Sequence, residues 1–214
     1  MKRTEISVRI LDLIIVIIIS PFAIVLTLIL CLLVFLGDFR NPIFVQKRLG
    51  LNKNEFYLLK IRTMKFDAEK QTGAVWASPD DSRITSLGHF LRNFRLDELP
   101  QVINILFGDL SFVGPRPIRE IMADKILEND PLYEERFLVK PGLTGLAQIF
   151  APYGSNMAEQ VEKGYWDRYW LEHASIKLYF LSLFWTVFKV LNRNEKLDQI
   201  KNESFSVQDE NIAT

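Results

Sequence analysis

One cysteine, Cys31, and two histidines, His89 and His173, are all this 214-residue chain has of thiol and imidazole groups. A lone cysteine closes no intrachain disulfide, and these three residues lack zinc-ligand spacing. A disulfide scaffold and a structural zinc site are therefore excluded, and the chain suits a reducing, cytosol-facing setting. Net charge is lacking too: 26 Lys and Arg balance 26 Asp and Glu. No overall field selects nucleic acid or an acidic partner. Charge is also absent locally. None occurs from Leu13 to Leu36, so all 52 charged residues fall on the other 190 positions. Outside that window the composition is that of an ordinary water-soluble domain.

The uncharged window has 24 residues, about 36 Å as a helix against a hydrocarbon core of roughly 30 Å. It exceeds the h-region of a signal peptide, and no small-residue cleavage site follows. Ser20-Pro21 interrupts it. Proline removes a backbone donor and clashes with the preceding turn, which predicts a kink, and serine can bond a freed carbonyl. Lys2, Arg3 and Arg9 precede the segment; Arg40, Lys47 and Arg48 follow it. Positive charge gathers on the cytoplasmic side, and here both ends claim that side. The residues alone leave a spanning and a re-entrant helix both open.

Beyond the window, Ile43–Gln46 and Phe56–Ile61 read as short strands separated by a turn at 50–54. Residues 84–96 have helical spacing, with Leu87, Phe90, Leu91 and Phe94 on one face and Arg92 and Arg95 beside it. A helix is expected from near Asp97 through Leu106, ended by Gly108, and another over Glu120–Glu128. Residues 176–191 are apolar and aromatic with two lysines, too short to cross a bilayer. They fit an interfacial helix or a buried core helix equally. The chain after Asn192 turns polar, and its last residues have a disordered composition.

The chemistry concentrates in Arg92-Asn-Phe-Arg-Leu-Asp97-Glu98-Leu-Pro100-Gln101. Adjacent carboxylates before a proline and an apolar run read as a helix N-terminus, and plain capping accounts for them there. The same end attracts phosphate, Arg92 and Arg95 can neutralise it, and a carboxylate can attack phosphorus. The neighbouring carboxylate can hold a divalent cation; hard oxygen ligands and a phosphate point to magnesium. In Gly114-Pro-Arg116-Pro117 two prolines stiffen the backbone around an arginine suited to bidentate phosphate binding, or to a simple surface turn. Lys140-Pro-Gly142-Leu-Thr-Gly145 matches neither a P-loop nor a dinucleotide fingerprint.

In order, Ser20-Pro21, Gln46-Lys-Arg48 with Gly50, Phe56 and Lys60-Ile-Arg62-Thr-Met64 resemble the monotopic phosphoglycosyl transferases. These are the bacterial polyprenyl-phosphate hexose-1-phosphate transferases. Thr85-Ser-Leu-Gly88, Leu91-Arg92, Leu96-Asp97-Glu98-Leu-Pro100-Gln101, Asn104 and Gly108-Asp-Leu-Ser111 continue the match, and Val113-Gly-Pro-Arg-Pro117 and Lys140 to Gly145 complete it. The resemblance covers most of residues 5–148.

It implies an α-rich α/β catalytic domain over 38–195, a re-entrant membrane helix over 1–37 broken at Ser20-Pro21, interfacial helices, and a polar tail over 196–214. It implies a UDP-sugar donor, a polyprenyl phosphate acceptor, Mg2+, and a site on the cytosolic face of the bacterial inner membrane. A homodimer is compatible with it; nucleic acid is not expected. Asp97 would be the nucleophile and Glu98 its partner through the metal or as a base, both near the metal. Arg92, Arg116, Lys60 and Arg62 would hold phosphates. After Gln148 the chain reads Ile-Phe-Ala-Pro-Tyr-Gly154, a departure from the family's usual glycine-arginine-asparagine turn. Tyr165 to Trp170 matches the family's aromatic-aspartate stretch only approximately. Two other classes compete: a membrane-anchored scaffold without activity, against which the intact Asp97-Glu98 counts, and a conventional glycosyltransferase. Metal-dependent members of the latter usually carry Asp-x-Asp, which this chain lacks.

Overall fold

A computed structural model describes residues 2–191, apart from residues 69, 71–72, 74, 76–80 and 152–155. The polar tail expected over 196–214 lies outside the described residues, as does part of the departure after Gln148. The order of elements is α1 (Lys2–Asp38), β1 (Ile43–Leu49), β2 (Glu55–Ile61), α2 (Ser86–Asn93) and α3 (Gln101–Phe107). Then follow β3 (Ser111–Val113), α4 (Glu120–Leu127), β4 (Gly142–Thr144), α5 (Leu146–Phe150), α6 (Met157–His173) and α7 (Ile176–Leu191). Helix dominates. The strands form two separate pairs, β1 with β2 antiparallel and β3 with β4 parallel.

At Ser20-Pro21 the helical assignment is continuous. The helix runs 37 residues with Pro21 inside it. Pro21 has no N–H to offer the Ile17 carbonyl four residues back, and Ser20 Oγ donates to that carbonyl instead, at 3.4 Å. From Glu5 to Asp38 it is long and apolar enough to cross a membrane. One seam is buried: Asp12, Val16, Ala23, Leu30 and Val34, steps of three or four residues or their sums that keep one helix face turned inward. The rest of the surface, including Ile17, Ile18, Phe22, Leu28 and Leu32, is exposed apolar side chain.

Both ends of α1 are fastened to the same body. Near its start, Arg9 donates to the carbonyls of Ile105 and Leu106 at the end of α3, at 2.5 and 2.8 Å. Those carbonyls belong to the last helical turn, where a cation is favoured. One turn on, Asp12 Oδ1 accepts from Phe112 N, Ser111 Oγ and Tyr179 Oη at 3.1, 3.1 and 2.7 Å. Near its other end, Leu30 and Val34 pack on Ile61 and Leu91, where each fully buried aliphatic contributes roughly 2 kcal/mol. Asp38 there accepts a fork of two 2.6 Å bonds from Arg62.

Tight backbone approaches fix the centre. Gly108 ends α3 at φ 89, a left-handed cap that glycine adopts without steric cost. Where β3 passes β4, a Cβ on Gly142 would lie 2.1 Å from Gly114 N, so only glycine fits. Two expectations are corrected here. Asp97 and Glu98 do not begin α3 but form a separate 3-10 turn, because α3 starts only after Pro100. On α2, Leu91 is buried while Phe90 and Phe94 stand out in a tilted pair, since α2 is short and only one side faces β2.

Candidate active site

The carboxylate pair is presented by an unusual backbone. α2 ends at Asn93, and Arg95 then takes a left-handed conformation (φ 57, ψ 21). A non-glycine residue there carries strain of order 1 kcal/mol. The reversal drops Leu96, Asp97 and Glu98 into a 3-10 turn in which both acids are buried, at 6% and 5% exposure.

Glu98 is held by two cations from distant segments. Lys60 Nζ of β2 and Arg116 Nη2 both bond Glu98 Oε1, at 3.0 and 2.6 Å. Burial works to raise the Glu98 carboxyl, but Arg116, Lys60 and Arg95 outweigh it and hold the group well below the usual range. Asp97 differs. Among the described residues no side chain bonds or pairs with its carboxylate. Burial raises its pKa, Lys60 opposes that, and the charge of Glu98 adds to the rise. Burial also lowers the pKa of Lys60, with Glu98 working against the shift.

Arg116 is aimed by a backbone whose carbonyls are all engaged. Pro115 and Pro117 have no N–H. From Pro115 to Ile118 each carbonyl is taken by a different donor: Gly142 N, Arg136 Nη2, Arg48 Nη1 and Leu49 N, at 2.8, 2.6, 3.3 and 2.9 Å. Three segments, β1, residues 131–138 and β4, thus set the position of one guanidinium.

Arg92 is fixed differently. Its Nε donates to Thr63 Oγ1 at 2.8 Å, which leaves both terminal nitrogens without a partner among the described residues. It lines a cavity of about 200 Å³ with Arg95, Thr144, Gln148, Thr186 and Lys189. In the wall both amide atoms of Gln148 are buried and unpaired. A ligand offering anionic oxygens beside a donor–acceptor edge satisfies such a wall.

Five expected residues therefore converge: Asp97, Glu98, Lys60 and Arg116 directly, and Arg92, from α2, through its charge on Asp97. Arg62 does not join them. It is occupied by Asp38 and the Asn41 carbonyl, 2.8 Å from its Nε, because it lies just past the end of β2, beside the end of α1. Lys140 sits against Gly108 and Arg9 rather than at the carboxylates. Ser20 and Pro21 lie in α1, outside the cluster. Sequence reasoning missed Gln148, Arg136, Lys163 and Asp167; only Asp167 carried a signal, as the acid inside an aromatic run.

As to a metal, Asp97 and Glu98 Oε2 offer hard oxygens free of protein bonds, while no group of three or more possible ligands occurs among the described residues. A cation here would draw its remaining ligands from water and substrate phosphates, which suits a hard divalent ion.

The sequence profile described as bacterial sugar transferase matches residues 3–193. The chain belongs to the bacterial sugar transferase family. Among relatives, the chain is 36% identical over 148 residues to the UDP-N-acetylgalactosamine-undecaprenyl-phosphate N-acetylgalactosaminephosphotransferase of Aeromonas hydrophila, covering 69% of this chain and 35% of that protein. It is 47% identical over 94 residues to a Bacillus subtilis protein named as an undecaprenyl-phosphate N-acetylgalactosaminyl 1-phosphate transferase, covering 44% and 52%. It is 38% identical over 156 residues to EpsL, an uncharacterized sugar transferase of Bacillus subtilis, covering 71% of each. This bacterial sugar transferase thus spans about a third to a half of the first two relatives.

Proposed function

We propose that the protein transfers a sugar-1-phosphate from a UDP-sugar to polyprenyl phosphate, through a phosphosugar bound covalently to Asp97. The observation that carries this reading is the asymmetry of the pair: a buried, unpartnered Asp97 beside a Glu98 held by two cations. An acid with no protein partner keeps its lone pairs for a substrate, whereas a clamped one serves to position and balance charge. The names of the relatives, which specify undecaprenyl phosphate and sugar phosphates, support the substrate class.

In the first step an Asp97 oxygen attacks the β-phosphorus. The bond from that phosphorus to the bridging oxygen breaks, and its electron pair leaves with UMP. In the second, an oxygen of polyprenyl phosphate attacks the same phosphorus and the acyl-phosphate bond breaks. Asp97 is restored and polyprenyl-diphosphate-sugar departs. Arg92, through its free terminal nitrogens, holds a phosphate at the cavity; Arg116 and Lys60 keep positive charge against the equatorial oxygens. Mg2+, held by Asp97 and Glu98, would neutralise phosphate charge during transfer.

The site would face the cytosol at the inner membrane, with α1 entering and leaving by the same side. The polar fastenings at Arg9 and Asp12 and at Asp38 support this, because they flank the apolar run and tie both its ends to one body. A helix crossing to the other side would carry one end away.

The test is nucleotide release from a panel of UDP-sugars by purified protein with Mg2+ and undecaprenyl phosphate. UMP is the expected product. UDP would make the protein a conventional glycosyltransferase, and silence across the panel would make it a scaffold.

A further inference from the structure

Behind Arg116, and away from the carboxylate pair, lies a second pair of opposite charges. Arg136, in the 3-10 segment Pro131–Leu138, and Asp167, on α6, are 6% and 2% exposed, with Nη2 and Oδ2 3.1 Å apart in an ion contact that lacks hydrogen-bond geometry. An ion pair this deep rarely adds stability over apolar residues of the same volume, because desolvation consumes the attraction. What it adds is a fixed counter-charge for the Arg136 guanidinium. The same Arg136 Nη2 donates to the Arg116 carbonyl at 2.6 Å, and the guanidinium is seated over the Tyr133 ring at 4.3 Å. Arg116 in turn reaches Glu98 Oε1 at 2.6 Å.

We infer that Asp167 and Arg136 are positioning residues for the transfer. Asp167 holds Arg136, Arg136 holds the Arg116 backbone, and Arg116 is thereby kept on Glu98. The strut touches neither substrate nor metal and acts only through Arg116. The alternative is a pair that merely fills the core between α6 and the 131–138 segment. The inference rests on the transfer reading above.

One property lets the two be told apart. Burial pushes the Asp167 carboxyl up to about 6, against the pull of Arg136, Lys163 and Arg168. Arg136 faces it from the 131–138 segment, and Lys163 and Arg168 from its own helix. Burial lowers both Arg136 and Lys163, and Arg116 and Arg136 help to bring Lys163 down to about 8. Asp167 is thus the group of this cluster that changes charge just below neutral pH, and its protonation would slacken the strut.

The experiment measures UMP release by the full chain in detergent, from pH 5 to 8, with Mg2+ and undecaprenyl phosphate. Wild type is compared with Asp167→Asn, Asp167→Glu and the apolar double variant Arg136→Met/Asp167→Leu. Asp167→Asn is expected to lower kcat roughly tenfold to a hundredfold with KM for the UDP-sugar changed less than about threefold, as for a slightly misplaced group. It should also abolish the acid limb near pH 6. Asp167→Glu should restore most of kcat, and the double variant should stay slow while melting no lower than wild type. Wild-type kcat and pH profile in Asp167→Asn or in the double variant would overturn the inference. So would a loss that merely tracks the folded fraction. A wild type that releases no UMP overturns the transfer reading, and the inference falls with it; an active wild type with indifferent variants sinks the inference alone.

Discussion

Asp97 and Glu98 are adjacent in one 3-10 turn, equally buried, and electrostatically opposite. Glu98 shares a single oxygen between Lys60 and Arg116, at 3.0 and 2.6 Å, while among the described residues no cation pairs with Asp97. Neutralising the two should therefore move stability in opposite directions.

Asp97→Asn removes a charge that burial disfavours, so it should raise the melting temperature at neutral pH, by an equivalent of roughly 1 kcal/mol. The same variant should lose at least about a thousandfold in UMP release and form no covalent phosphosugar adduct detectable by intact-mass measurement. Glu98→Gln should instead lower the melting temperature, by about 2 kcal/mol after allowing for the partial exposure of Arg116. Thermal melts of the two proteins side by side would decide; equal shifts of one sign would contradict the asymmetry.

Arg92 and Arg62 together test the proposal that Arg92 binds a phosphate while Arg62 anchors α1. Arg92→Ala should raise KM for the UDP-sugar about tenfold, the worth of one charge-assisted contact. Arg62→Ala should leave KM within about twofold, because its fork is spent on Asp38. Steady-state kinetics at fixed acceptor would show it, and an equal effect of both would return Arg62 to the phosphate site.

The entry and exit of α1 can be read by cysteine labelling. In a Cys31→Ala background, Glu5→Cys and Gly37→Cys flank the apolar run, and a Cβ at Gly37 meets nothing within 4 Å. Both should react with an impermeant maleimide from the cytoplasmic side of inverted vesicles, and neither from the opposite side. One label from each side would make α1 a spanning helix.

Asp167 has a signature in stability as well. In the unfolded chain its carboxyl titrates near 3.8; in the fold burial moves it to about 6. Its stabilising contribution is thus full below the lower value and is lost as pH rises through the higher one. Relative to Asp167→Asn, wild type should lose about 1 kcal/mol between pH 5 and pH 7. Denaturant melts of both proteins at the two pH values measure it, and a constant difference would refute it.

What the sequence disclosed was whatever depends on local periodicity. The apolar helix over 176–191, the end of α3 at Gly108 and the helix beginning at Glu120 all stand where spacing and caps put them. The strand over 43–46 runs on through Leu49, because pairing with Glu55 to Tyr57 overrides the low strand propensity of Lys47 and Arg48. For α7 the two readings left open share the helix: Tyr179 and Ser182 are buried, whereas Phe180, Phe184 and Leu191 are exposed.

Legibility failed where a residue's neighbours come from far along the chain. Arg62 and Lys60 are two positions apart and equally basic, yet one meets Asp38 and the other Glu98. The spacing puts both on one strand face; the outcome depends on where α1 and the 96–98 turn lie, which no local pattern records. Arg136 carried no motif at all, and its role appears only once the Arg116 carbonyl is found beside it.

The four engaged carbonyls from Pro115 to Ile118 have a consequence for the order of events during synthesis. Its four donors lie at Arg48, Leu49, Arg136 and Gly142, so two arrive before the stretch is made and two after. A nascent chain that has just passed Arg116 already possesses its carboxylates, its lysine and its membrane helix. Its decisive arginine still swings free. The seating of this arginine therefore waits for Arg136 and Gly142 to be made.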